Sequence, residues 1–249
     1  MTKNSNLKLP IFKVESFGAA DGPGIRLVIF TQGCSYRCLY CHNPESWCLK
    51  TENQQYITVD EIIKLYNKSK SFYRSGGSTL SGGEPLLHLN FIIKLAAVCK
   101  EKNIPLALDT SGTNFSKETE AKYLKICKYN PLWIVDIKHI NKTKHKALTG
   151  VEEQREINLI KFLDKNNQQM WIRQVLLIGY TDDPDDLINL GRFLSSLNNL
   201  DNFQVLPFHQ LAKNKYERLH IDYPLSKIKA TSQEDVNKAI KYIQQGYNE

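Results

Sequence analysis

Ile25-Arg-Leu-Val-Ile-Phe-Thr-Gln-Gly-Cys34-Ser-Tyr-Arg-Cys38-Leu-Tyr-Cys41 is the stretch from which the rest of the chain can be read. Its first part, Ile25 to Phe30, is a short apolar, β-branched run, the signature of a strand. Its second part sets Cys34, Cys38 and Cys41 at spacings of four and three on one tight loop directly after that strand. Outward from it, similar runs recur at Ser78 to Leu80, Leu106 to Leu108, Trp133 to Ile137, Trp171 to Ile178 and Phe203 to Leu206. Amphipathic segments separate them. Thr58 to Glu61 has capping-box spacing, Asn90 can cap the helix that follows it, and Ser232 can cap the last one. Apolar spacing predicts two further helices, over Glu153 to Asn166 and Pro184 to Leu197. Six units of strand then helix make a parallel sheet, because a short parallel crossover needs a helix.

Polar, glycine-rich residues fall where these strands end. They are the cysteine loop, Ser81-Gly-Gly-Glu84-Pro85, Asp109-Thr110-Ser111-Gly112, Asp136-Ile-Lys138, Arg173 on the fifth strand, and Pro207-Phe208-His209. A βα barrel assembles its active site in this way. The expected fold is α/β, a partial (β/α)6 TIM-like barrel of parallel strands. Six units instead of eight imply an open side able to admit a large substrate. No repeat or low-complexity linker divides the chain, so residues 1–249 read as one domain.

With 41% hydrophobic and 24% charged residues, the 249-residue chain is an ordinary globular one, which excludes collagenous, disordered and disulfide-scaffold classes. It has no apolar run of membrane-spanning length and no secretory signal, so a cytoplasmic protein is expected. The net charge of +7 is spread along the chain, without a basic tail or tract. Neither nucleic acid nor a membrane is therefore expected as a partner, and a monomer is expected. Six cysteines in such a chain point to metal binding or catalysis. Cys99 and Cys127, alone in apolar helical segments, read as core.

Structural zinc usually takes four ligands, often as two separated pairs, so the triplet suits it poorly. Three cysteines on a [4Fe-4S] cluster leave one iron open to a chelating substrate. Cys48 could instead be a fourth ligand, closing a ferredoxin-like cluster or a zinc site. Gly82 and Gly83 permit close backbone approach, or simply a turn. Asp109 and Lys138 bring opposite charges to strand ends, suiting a zwitterionic amino acid moiety or a salt bridge. Asp109, Thr110 and Asp136 offer oxygen ligands to a hard cation, or a hydrogen-bonded cap on the strands. Asp21 lies in a Gly-Pro-Gly turn before the first strand.

The triplet, with Tyr40 before its third cysteine, resembles the C-x3-C-x2-C signature of the radical S-adenosylmethionine enzymes. Asp21-Gly-Pro-Gly-Ile-Arg26, Gly33-Cys34, Cys41-His-Asn-Pro44, Ser81-Gly-Gly-Glu84, Leu108-Asp-Thr-Ser-Gly112, Trp171-Ile-Arg173 and Leu206-Pro-Phe-His209 resemble, in order, the activases of glycyl radical enzymes. The resemblance runs from about Phe12 to His209 and is weaker beyond. It implies a [4Fe-4S] cluster on Cys34, Cys38 and Cys41, and S-adenosylmethionine bound by Tyr40, Gly82, Gly83, Glu84, Asp109, Lys138, Arg173 and His209. Lys138 and His209 would meet its carboxylate and Arg173 its ribose. The resemblance further implies a monovalent cation, sodium or potassium, on Asp109, Thr110 and Asp136, and a contact of Asp21 with the partner's peptide. No acid or base residue is required. A ferredoxin-like insert carried by other activases is absent between Cys41 and Ser81. This favours the activases whose partner is formate acetyltransferase (pyruvate formate-lyase), with reduced flavodoxin or ferredoxin as donor. The alternatives are a radical enzyme acting on a small molecule and an electron carrier with a closed cluster.

Overall fold

A computed structural model describes residues 7–152 and 154–249. Residue contacts divide the chain into two compact units. One comprises the chain up to Ser35 together with Ser46–Ile134, and the other Tyr36–Glu45 with Val135–Glu249.

In the first unit β1 (Lys8–Gly18) pairs antiparallel with β2 (Arg26–Thr31) and with β3 (Gln55–Thr58). Parallel pairing then joins β2 to β4 (Gly77–Gly82) and β4 to β5 (Leu106–Thr110). The crossovers carry α1 (Val59–Lys68), α2 (Leu89–Glu101) and α3 (Glu120–Cys127). The units divide within β6 (Leu132–Asp136). After it come α4 (Lys142–Thr149), α5 (Arg155–Lys165), β7 (Met170–Leu176), α6 (Pro184–Ser195), β8 (Leu200–Pro207), α7 (Lys213–Arg218) and α8 (Gln233–Tyr247). β7 and β8 are parallel. The strand order is β3-β1-β2-β4-β5-β6-β7-β8, an unclosed, mostly parallel α/β sheet. All six expected strands are present, most of them one or two residues displaced at their ends.

The antiparallel pair β1 and β3 was not expected. β1 carries Lys8, Lys13 and Glu15 among its apolar residues and is irregular between Ile11 and Lys13 and between Glu15 and Gly18, so no clean period marks it. β3 has only four residues. β2, by contrast, buries Leu27, Val28 and Ile29 in succession, as a strand covered on both faces does.

Local caps behave as the spacing predicts. Thr58 Oγ1 accepts from Glu61 N at 3.2 Å while Glu61 accepts from Thr58 N at 2.7 Å, and Ser232 with Asp235 repeats the box on α8. Asn90 is not a cap. A 3-10 turn, Pro85–His88, runs straight into α2, so Asn90 lies inside the helix. The expected helix start at Glu153 lies outside the described residues, and α5 begins at Arg155. Cys99 and Cys127 are core residues whose thiols burial pushes up to about 12, which keeps them protonated and inert.

In the second unit α6 and α8 meet at two glycines. A Cβ on Gly191 would stand 2.1 Å from the Ile243 carbonyl oxygen, and one on Gly246 1.9 Å from that of Ile188. Any side chain at either position would push the helices apart. No helix among the described residues is long and apolar enough to cross a membrane.

Candidate functional site

In the first unit the chain entering Cys34 is fixed by main-chain bonds on both sides. Gly33 N donates to Ser46 O at 2.7 Å and Cys34 N to Trp47 O at 3.3 Å, while Gly83 N donates to Thr31 O and Glu84 N to Gly33 O. Gly82, at φ +108°, and Gly83 are needed for this. A Cβ on Gly82 would lie 2.5 Å from Thr31 N, and one on Gly83 2.3 Å from Gly33 O. Their freedom from side chains thus serves the chain itself, seating the end of β4 against the end of β2.

Glu84 is 0% exposed. Its carboxylate accepts from Thr110 Oγ1 at 2.5 Å, Leu86 N at 3.0 Å, Ser111 N at 3.0 Å and Ser111 Oγ at 2.8 Å. Burial raises its pKa, and those same bonds pull the other way. Both oxygens are committed to shaping the loop after β5, so Glu84 is a positioning residue. Ser81 Oγ donates to Asp109 Oδ2 at 2.8 Å on the same loop cluster.

Asp21 lies elsewhere. Its turn precedes β2, and Arg26 at the start of β2 pairs with Gly77 at the start of β4, the opposite strand end from Cys34. The Asp21 carbonyl accepts from Thr79 Oγ1 at 2.8 Å. Arg26, 1% exposed, binds Thr79 Oγ1 and the carbonyls of Pro23, Ser78 and Pro105. Burial lowers its guanidinium to about 10, with Tyr66 and Asp21 acting against that.

The second unit holds the rest of the cysteine loop. The last carbonyls of a helix have no partner within it, and those of α4 find theirs here. Arg37 N donates to Thr149 O at 2.9 Å and Leu39 N to Leu148 O at 3.0 Å. Cys41 N turns back to Cys38 O at 3.0 Å. From α7, Tyr216 Oη donates to Cys41 O at 3.1 Å, and Lys215 Nζ to His42 O at 2.7 Å and Asn43 Oδ1 at 2.9 Å. Sequence reasoning missed these α7 anchors, because a lysine and a tyrosine in a short helix carry no signature until their partners are known.

Lys138 Nζ is 2.8 Å from Asp136 Oδ2 and 5.7 Å from the centre of the Tyr40 ring. Burial works against its charge, yet Asp136, Tyr40 and Cys38 together hold its pKa well above the usual lysine range. Lys138 thus forms a salt bridge with Asp136, a different partner from the Asp109 expected from the sequence. Burial likewise drives the Tyr40 phenol far upward. Arg173 Nε donates to Gln204 Oε1 at 3.2 Å, and the His209 ring stands 4.1 Å from that of His42. Burial, with His209 and Lys215 beside it, lowers His42 to about 4.

All six cysteines are outside disulfides, and Cys48 is exposed. Among the described residues no group of three His, Cys, Asp or Glu is drawn together for a single metal ion. The fit of a cluster is judged on the loop's donors. Three thiols lie within eight residues, and the Lys138 ammonium interacts electrostatically with Cys38. Among the described residues Tyr40 Oη and His209 Nδ1 are buried with no hydrogen-bond partner. These residues fit an iron–sulfur cluster with a polar ligand beside it.

Two further histidines bear on stability. Burial lowers the pKa of His88 and of His139, against the Gln32 carbonyl for the first and Asp186 and the Tyr180 carbonyl for the second. Both stay neutral in the folded chain while the unfolded chain takes up protons. Their contribution is thus complete above the unfolded value of about 6.5 and is lost as pH falls below it. The urea midpoint should drop between about pH 7.5 and about pH 5.5, and His139→Gln should flatten that drop. An equal slope in the variant would remove His139 from the account.

The family model described as the radical SAM superfamily matches residues 28–191. The chain is 43% identical over 241 residues to a pyruvate formate-lyase-activating enzyme of Staphylococcus aureus (strain USA300), covering 95% of this chain and 96% of that protein. A crystal structure of a domain of pyruvate-formate lyase-activating enzyme from Bacteroides vulgatus matches 69% of this chain and 95% of its own, at 25% identity and a TM-score of 0.55. Streptococcus suis SuiB bound to S-adenosylmethionine shares the fold, with a TM-score of 0.65 at 20% identity over 88% of this chain and 46% of its own. Sequence and fold together place the chain in the radical SAM superfamily and, within it, in the family of pyruvate formate-lyase-activating enzymes.

Proposed function

We propose that the protein activates formate acetyltransferase (pyruvate formate-lyase) by removing a hydrogen atom from one of its glycines. The 43% identity across nearly the whole of a pyruvate formate-lyase-activating enzyme carries this reading. Family membership implies a [4Fe-4S] cluster and S-adenosylmethionine. When bound, the cluster supplies the electron that splits S-adenosylmethionine into methionine and the 5′-deoxyadenosyl radical that takes the hydrogen.

Cys34, Cys38 and Cys41 hold the cluster. Gly82 and Gly83 offer main-chain groups to the methionyl amino end, with Asp109 oriented by Ser81 and the loop braced by Glu84. Lys138 and His209 take the carboxylate, the first with its charge balanced by Asp136, and Arg173 takes the ribose. Tyr40 packs beside Lys138 and shields it from water. Residues 1–249 act as one radical SAM domain in the cytoplasm. Reduced flavodoxin or ferredoxin is the donor, and the net charge of +7 suits an acidic one. A sodium or potassium ion near Asp109, Thr110 and Asp136 rests on the resemblance. Asp136 is engaged by Lys138 and Thr110 by Glu84, so cation binding would compete with those bonds.

Anaerobically reduced protein mixed with S-adenosylmethionine and formate acetyltransferase should generate a glycyl radical signal by electron paramagnetic resonance. Formation of 5′-deoxyadenosine with no radical on the partner would point instead to a small-molecule substrate. Asp21→Asn serves as a second arm. Slower transfer with unchanged cofactor binding supports the peptide contact. A lowered melting temperature with normal transfer supports the other reading, in which Asp21 steadies the Arg26 turn.

A further inference from the structure

His145 on α4 and Glu156 on α5 approach to 2.9 Å with both side chains 0% exposed. Neither lies at a strand end, and the proposed chemistry uses neither. His145 Nδ1 is 2.9 Å from the Val151 carbonyl. A carbonyl only accepts, so that nitrogen carries its proton, and Nε2 and Glu156 Oε1 face each other without a hydrogen bond. The other carboxylate oxygen, Oε2, accepts from Tyr36 Oη at 3.1 Å. Tyr36 is 2% exposed and stands edge-on to the His145 ring. It lies midway between Cys34 and Cys38.

The same turn of α4 holds the loop's main chain. Thr149, whose hydroxyl donates to the His145 carbonyl at 2.9 Å, receives Arg37 N on its own carbonyl, and Leu148 receives Leu39 N. Side chain and backbone are thus gripped together. A buried polar group stabilises a fold no better than apolar residues of equal volume, and its attested use is to fix one arrangement over others. We propose that Glu156 is a positioning residue for the cysteine loop. It fixes Tyr36, and with it the main chain that leads into Cys38. This rests on the reading of the loop as a [4Fe-4S] site.

The test uses the full chain loaded anaerobically with its cluster, as wild type, as Tyr36→Phe, and as the double variant His145→Leu/Glu156→Leu. Tyr36→Phe keeps the ring and removes only the hydroxyl. The double variant replaces two buried polar side chains by apolar volume and so spares the fold. Both should release iron to a chelator at least about tenfold faster than wild type, the loss expected for a hydrogen bond to a charged group. Both should also shift the electron paramagnetic resonance spectrum of the reduced cluster. Thermal midpoints should stay close to wild type. Release rates and spectra equal to wild type in both variants would overturn the proposal, even if the midpoints fell. A wild-type chain that takes up no iron would overturn the reading of the loop itself.

Discussion

Cys38→Ala should leave a folded protein that binds almost no iron and forms no measurable 5′-deoxyadenosine. The loop's own bonds run through main-chain atoms of Arg37, Leu39 and Cys41 and through Tyr36, none of which the substitution removes. What it removes is the thiol that interacts with Lys138. Changing a mere outer partner of a metal ligand costs roughly 10–100-fold in affinity or activity, so losing the ligand should exceed about a hundredfold. Cys34→Ala and Cys41→Ala should behave alike. Cys48→Ala, at an exposed position, should keep its iron, whereas a closed four-cysteine cluster would lose it. Iron and sulfide content with product chromatography decides the matter, and full activity in Cys38→Ala would refute the ligand assignment.

Glu84→Ala should cause the largest loss of stability. The two backbone donors, Leu86 N and Ser111 N, cannot turn away, and no water reaches a side chain that is 0% exposed. Each buried donor left unsatisfied costs about 1–3 kcal/mol, so the two backbone donors alone cost about 2–6 kcal/mol. For a chain of this size the melting temperature should fall by roughly 10 °C or more. Glu84→Gln should fall less, because one oxygen still accepts while the amide nitrogen faces donors. S-adenosylmethionine affinity should drop with it, since the loop carrying Asp109 and Thr110 loses its brace. A fall of less than about 2 °C in calorimetry would show that the loop holds itself.

Much of this molecule is written in short stretches of sequence. The apolar runs of β2 and β4 to β8, the boxes at Thr58 and Ser232, and the cysteine spacing all act within a few residues. Strand burial, helix capping and chelation by one loop are local physics, so they can be read without a partner. β1 and β3 were illegible because their pairing, not their pattern, makes them strands. The roles of polar residues were decided the same way. Glu84 finds its partners 26 and 27 positions away, Tyr36 finds Glu156 at 120, and Lys215 finds His42 at 173. A carboxylate next to two glycines looks like a ligand contact until the donors that surround it are known. The sequence by itself determined the fold class and the family. Only the tertiary structure decided which buried polar atoms lack a hydrogen-bond partner among the described residues, as those of Tyr40 and His209 do, and which are spent on holding the backbone. That decision depends on which donors and acceptors burial brings together, and residues far apart in the chain supply them.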